Sequence, residues 1–203
     1  VDPQNGQTID QNGAYAIFGT SESGATGYVV VHHIYIVQET LKGYKYQRNQ
    51  YDANNELVLY NPIEDGQISM TGEYLGMRTR KGAADGEYVI AELFFDVDLQ
   101  DPNESRSTQF RMVNRTRYSM DSGQSLEGTS GYEFSLPDTG WFVVENGMDL
   151  NGEFTTELQI PLNDQAFESG TVYGLLSTNS DGLISEGAGV ITLTSQDPTQ
   201  FMN

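Results

Sequence analysis

The chain of 203 residues contains no cysteine. That excludes disulfides, cysteine-based zinc sites and thiol nucleophiles together. Such a chain fits both the cytosol and bacterial export. Histidine is nearly as scarce, with His32 and His33 the only two. Any Ser-His-acid triad has to draw on this pair, and neither Gly-x-Ser-x-Gly nor a phosphate-binding Gly-Lys loop accompanies it. No run of about 18 apolar residues occurs, so no helical membrane span is predicted. The opening residues, Val1-Asp-Pro-Gln-Asn-Gly, do not form a signal peptide, so an export leader is expected to lie outside this sequence.

Positive charge is also short. Ten basic residues face 29 acidic ones, for a formal charge of −19. Nucleic acid and anionic membrane surfaces are repelled by such a balance, and membrane contact is expected only through an anchor that this sequence lacks. A basic protein partner, a cation or a salty environment fits better. All Lys and Arg fall between Lys42 and Arg117. Arg106, Arg111, Arg115 and Arg117 crowd one strand-like stretch. Arg111, Arg115 and Arg117 share parity, so a regular strand turns them to one face. Arg78 and Arg80 repeat the pattern on an earlier strand. Such a stripe either captures an anionic ligand or pairs with carboxylates on neighbouring strands.

What is abundant is β structure. The 22 glycines and 12 tyrosines suit a turn-rich sheet protein with one apolar face per strand. Strands are predicted near 14–18, 28–37, 43–51, 56–60, 68–79, 87–99, 107–120, 132–136, 141–145 and 151–160. A final hairpin pairs 170–177 with 183–194 about the turn Asn179-Ser-Asp-Gly182. The nearest approach to a helix is one or two turns over 161–169. The fold class is therefore all-β. A soft boundary at 61–67 divides the chain into residues 1–66 and 67–203.

Five segments of the second unit resemble, in order, the barrel domain of transferrin-binding protein B-like surface lipoproteins, a family that includes haem-binding hemophilins and factor H-binding proteins. They are Tyr74-Leu-Gly76, Ala91-Glu-Leu-Phe-Phe-Asp-Val-Asp98, Met148-Asp-Leu-Asn-Gly-Glu-Phe154, Gly170-Thr-Val-Tyr-Gly174 and Glu186-Gly-Ala-Gly-Val-Ile191. The resemblance covers about 70–195. It implies a small N-terminal β handle followed by an eight-stranded antiparallel barrel. It also implies a non-enzymatic, exported protein of the bacterial surface that captures a host or environmental ligand, haem or a protein. The family's lipidated Cys is absent, Leu175 stands where a Pro usually follows Tyr-Gly, and the first unit matches no motif.

Several constellations invite chemistry. Adjacent strand residues face opposite ways, so His32 and His33 do not chelate one ion from a regular strand. Either one suits an axial haem ligand, with Tyr28, Tyr35, Tyr44 or Tyr46 packing the ring or bonding a propionate. The alternative is one buried and one solvated histidine. Asp96, Asp98, Asp101, Asn103 and Glu104 offer hard oxygens suited to Ca²⁺ but fail the EF-hand pattern. They suit equally a solvated strand end, or a Ca²⁺-stabilised structural or adhesive module without a small ligand. Leu136-Pro-Asp-Thr-Gly140 mimics a sortase signal and an aspartic-protease loop, but reads as turn chemistry. Asn103-Glu-Ser105 and Asn114-Arg-Thr116 match the glycosylation sequon.

Overall fold

The structure is a computed structural model. It describes residues 12–20, 26–34, 39–47, 66–78, 86–100, 107–163, 165–178 and 183–195; before residue 66 only backbone pairing is described. All regular structure among these residues is β. The strands are β1 (Asn12–Thr20), β2 (Thr26–Ile34), β3 (Glu39–Gln47), β4 (Gln67–Arg78), β5 (Glu87–Asp98), β6 (Thr108–Ser119), β7 (Phe142–Val143), β8 (Glu153–Leu162), β9 (Gln165–Thr178) and β10 (Ile184–Ser195).

Every pairing is antiparallel between strands consecutive in sequence. The ladders make three sheets, ordered β1-β2-β3, β4-β5-β6-β7 and β10-β9-β8. The last two share one core, built from Ala91, Val97, Phe110, Met112, Leu158, Ile160, Val172 and their neighbours. Alternation places these residues. β8 runs exposed-buried over eight successive positions, with Phe154, Thr156, Leu158 and Ile160 inward. A side-chain bond from Thr156 Oγ1 to the Val143 carbonyl, 3.3 Å, brings β8 beside β7. A second cluster, Val89, Leu136 and Phe167, lies against Tyr74, which also packs on the first.

Two expected elements differ. Residues 132–136 form no strand; they belong to a connection of turns between β6 and β7. Residues 161–169 form no helix, because the alternation of β8 continues through Leu162 and the chain then reverses into β9. Pro161 looks like the start of a helix, but it sits on the edge strand of its sheet, at a register shift, where its missing N–H is tolerated. The expected strand 56–60 and residues 61–65 of the expected boundary lie outside the described residues.

The arginine strand also departs from expectation. Arg111, Arg115 and Arg117 do not share a face. Ile90 opposes Thr116 while Glu92 opposes Val113, so β6 carries one extra residue, a bulge. Asn114 occupies it with φ 56°, a left-handed conformation that Asn tolerates. Thr108, Phe110 and Met112 point inward before the bulge, and Arg115 and Arg117 after it. Arg111 remains outside. The β9 strand has its own irregularity: Ile160 opposes Glu168 and Pro161 opposes Ala166, so β9 carries one extra residue, Phe167, at the register shift. Two consecutive residues, Phe167 and Glu168, are buried as a result.

Candidate functional site

The two bulges deliver charge into the interior. Glu168 on β9 meets Arg115 Nη2 at 2.7 Å and faces Arg78 Nε at 4.0 Å. The Arg115 contact lies off the line a hydrogen bond needs, so it acts as a charge pair. Arg78 reaches Glu87 at 3.4 Å, and the Tyr132 hydroxyl donates to the other Glu87 oxygen at 2.7 Å. Arg117 donates from Nε and Nη2 to the two Glu127 oxygens, each at 2.9 Å, and also to the Phe134 carbonyl. Its guanidinium lies beneath the rings of Tyr132 and Phe134, 4.9 and 5.1 Å from their centroids. Three arginines and three glutamates thus balance in one layer. The layer joins β4, β5, β6 and β9 to the β6–β7 connection. Of the two readings of the arginine stripe, pairing with carboxylates holds for Arg78, Arg115 and Arg117; Arg80 and Arg106 lie outside the described residues.

The Leu136–Gly140 turn clamps the β6 bulge. Asp138 Oδ1 accepts the Asn114 N–H at 2.9 Å, and Pro137 gives its carbonyl to Arg115 Nη1 at 3.0 Å. Thr139 is fully buried; its N–H donates to the Met112 carbonyl and its hydroxyl oxygen accepts the Met112 N–H at 2.8 Å. β7 pairs only with Gln109 and Phe110, and beyond them this turn satisfies backbone groups on the free edge of β6. The motif does structural work here.

Tyr74 lies at the centre of the layer's apolar wall. Burial pushes its phenol above the ordinary tyrosine value; Arg115 works against this, Glu168 with it and Arg78 against it. Its ring lies over Gly76, where any Cβ would collide with the phenol, so the ring position requires glycine two residues on. Glu127 is the least buried of the layer's ion-paired side chains. Burial works to raise its carboxyl. Hydrogen bonds from the Arg117 side chain and backbone, the charge of that guanidinium and the Ser135 hydroxyl outweigh burial and hold it below the ordinary glutamate value. A depressed carboxyl adds stability above its unfolded-state value, and this is lost as pH falls through the lower folded value. Glu127→Gln is therefore expected to lose stability at neutral pH and to show a shallower acid limb in urea titrations from pH 6 to pH 3. Parallel acid limbs would mean that the Arg117–Glu127 pair does not persist in solution.

The opposite face of the β4–β7 sheet looks outward. Arg111 lies between Phe94 and Trp141, 4.7 and 4.8 Å from their ring centroids. Trp141 is 43% exposed, Leu75 48% and Ile90 41%. Leu75 and Ile90 are register partners, as are Glu73 and Glu92 two pairs further along. Tyr88 stacks on Tyr118 across β5 and β6, 5.0 Å between centroids. Three large apolar side chains thus stay exposed on this face. Trp141 and Leu75 carry no signal in the sequence that distinguishes them from core residues. Only the folded structure shows that they face outward.

No protein-family model, curated protein or solved structure matches the chain.

The sequence-predicted haem residues fall on the first sheet or beyond the described positions. His32 opposes Ala14 and Leu41, and His33 opposes Gly13 and Thr40, in the middle strand β2. Tyr28 opposes Phe18 and Lys45, while Tyr44 and Tyr46 lie on β3 opposite Val29 and Gly27. Tyr35 lies outside the described residues. The register thus sets Tyr44 three β2 positions from His32. Of the Ca²⁺ candidates, Asp98 ends β5 and accepts the Gln100 N–H at 3.0 Å, while Asp96 opposes Ser69 and Gln109. Asp101, Asn103 and Glu104 lie outside the described residues. Among the described residues no group of three or more His, Asp or Glu is placed to hold a metal ion.

Proposed function

We propose that the chain is a non-enzymatic, exported ligand-binding protein of a bacterial surface, and that it captures a host or environmental protein through the outer face of the β4–β7 sheet. The observation that carries this reading is the exposed apolar group on that face, Leu75, Ile90 and Trp141, ordered by the Phe94–Arg111–Trp141 stack. The space between the two C-terminal sheets is taken up by side chains: an apolar core and a charge-balanced ionic layer. A ligand is therefore assigned to the outside of this unit. On this reading the seven strands β4 to β10 belong to the wall of the expected eight-stranded barrel, with 132–136 contributing no strand, and β1 to β3 belong to the handle, the layout of transferrin-binding protein B-like lipoproteins. Consecutive antiparallel pairing and the Thr156–Val143 bond between β8 and β7 support it.

Haem capture through His32 or His33, with Tyr28, Tyr35, Tyr44 or Tyr46 around the ring, is the competing form of the same function. An absorbance titration of the purified protein with haemin separates the two. Protein capture predicts a titration that follows free haemin. A saturable, sharpened Soret band that His32→Ala or His33→Ala abolishes would assign the ligand to the N-terminal strands instead.

A further inference from the structure

Beside the apolar group lies a slot. Thr71 opposes Phe94 and Glu73 opposes Glu92 on the outward face of β4 and β5. With backbone at Gly72 and Leu93 as its floor, these four side chains frame an open cavity of about 440 Å³. Side chains two apart on one strand stand about 7 Å from each other, so the frame admits one extended side chain. One wall is aromatic and the other is a pair of carboxylates.

The carboxylates oppose each other directly, and like charges in that position repel. Among the described residues neither forms a salt bridge; Glu92 accepts only an amide bond from Asn114 Nδ2, 3.1 Å. Arg111, the nearby cation on this face, is held between two aromatic rings. A second copy of this chain is a poor occupant, because each copy carries a formal charge of −19. An apolar stem ending in a cation complements the slot in both shape and charge.

We propose that this slot receives a lysine or arginine of the partner protein, flanked by apolar residues that cover Leu75, Ile90 and Trp141. The proposal rests on the protein-capture reading above and names the chemistry of the partner. The cation neutralises the Glu73–Glu92 pair, its stem lies along Phe94, and the flanking groups bury the exposed face.

Trp141 is the only tryptophan of the chain, so its emission reports on this face alone. The test titrates the full chain at physiological salt with a dodecapeptide of alternating arginine and leucine, and with its uncharged counterpart in which citrulline replaces arginine. Expected is a saturable change in Trp141 emission with the arginine peptide. Glu73→Gln/Glu92→Gln should weaken binding about tenfold, the scale of losing one close charge pair. Glu153→Gln/Glu157→Gln removes the same charge from exposed positions of β8 and should change affinity less than about twofold. Equal weakening by both pairs would reduce the effect to general attraction and overturn the slot. Equal binding of the citrulline peptide would overturn the cation while leaving the outer face a docking surface. A Trp141 signal unmoved by either peptide would remove that surface and the reading it rests on.

Discussion

Replacing Glu168 by alanine is expected to destabilise the protein by about 3–5 kcal/mol, a large share of the stability of a domain. Glu168 is buried together with Arg115 and faces the largely buried Arg78. A guanidinium carries a fixed positive charge. Alanine therefore leaves positive charge in the interior with one carboxylate fewer. Arg78 retains Glu87, and among the described residues Arg115 retains only the Pro137 carbonyl, so Arg115 carries most of the cost. Urea unfolding measures the change. Glu157→Ala, exposed on β8, is the matched control and should shift stability by no more than about 0.5 kcal/mol. In a double-mutant cycle, Arg115→Ala and Glu168→Ala should fall short of additivity by about 0.5–3 kcal/mol, because each removes what the other was solvating. A Glu168→Ala variant within about 1 kcal/mol of the parent would show that water reaches the pair and that the layer is not sealed.

The β class, the antiparallel hairpins and most strand positions of the second unit were legible, because alternation of apolar and polar residues over β5, β6, β8 and β9 is a local property. The ionic layer was not. It depends on two extra residues, Asn114 in β6 and Phe167 in β9, and parity arguments assume none. Read as a regular strand, β6 sends Arg111 out with Arg115 and Arg117. With the bulge, Arg111 goes to the surface aromatics and the other two go to buried glutamates. One signal was available. Asn114 is a residue that tolerates positive φ, and it sits midway along a strand otherwise rich in β-formers. The Asp-Thr pair of the Leu136–Gly140 turn was readable as a turn, but its contacts with Met112 and Asn114 span 24 to 27 residues and only the fold reveals them. The outer face was illegible for a similar reason. Phe94 and Phe95 are adjacent and look alike in sequence, yet Phe95 packs on Phe154 in the core while Phe94 carries Arg111 outside.

The second large effect is expected at Phe167. Its conversion to alanine should cost about 3–5 kcal/mol, the range for emptying a fully buried aromatic site. Phe167 is completely enclosed; with Val89 and Leu136 it forms the smaller apolar cluster, and its ring meets Phe134 edge-on with centroids 5.8 Å apart. Phe134 in turn covers the Arg117 guanidinium and offers it a carbonyl. A cavity at Phe167 thus reaches the ionic layer from the apolar side. If Phe134 relaxes into the space, Arg117 loses its cover and the Arg117–Glu127 pair gains access to water. The acid limb of the Phe167→Ala variant should then flatten toward that of Glu127→Gln, whereas a cavity that stays rigid lowers stability equally at every pH. Urea midpoints at pH 7 and pH 3.5 separate these cases. A loss under about 1 kcal/mol at both would contradict a fully packed Phe167. The bulge explains why this residue is coupled to charge at all: the extra position in β9 puts the ring and the Glu168 carboxylate on the same side, so one strand supplies both the apolar seal and the central anion of the layer.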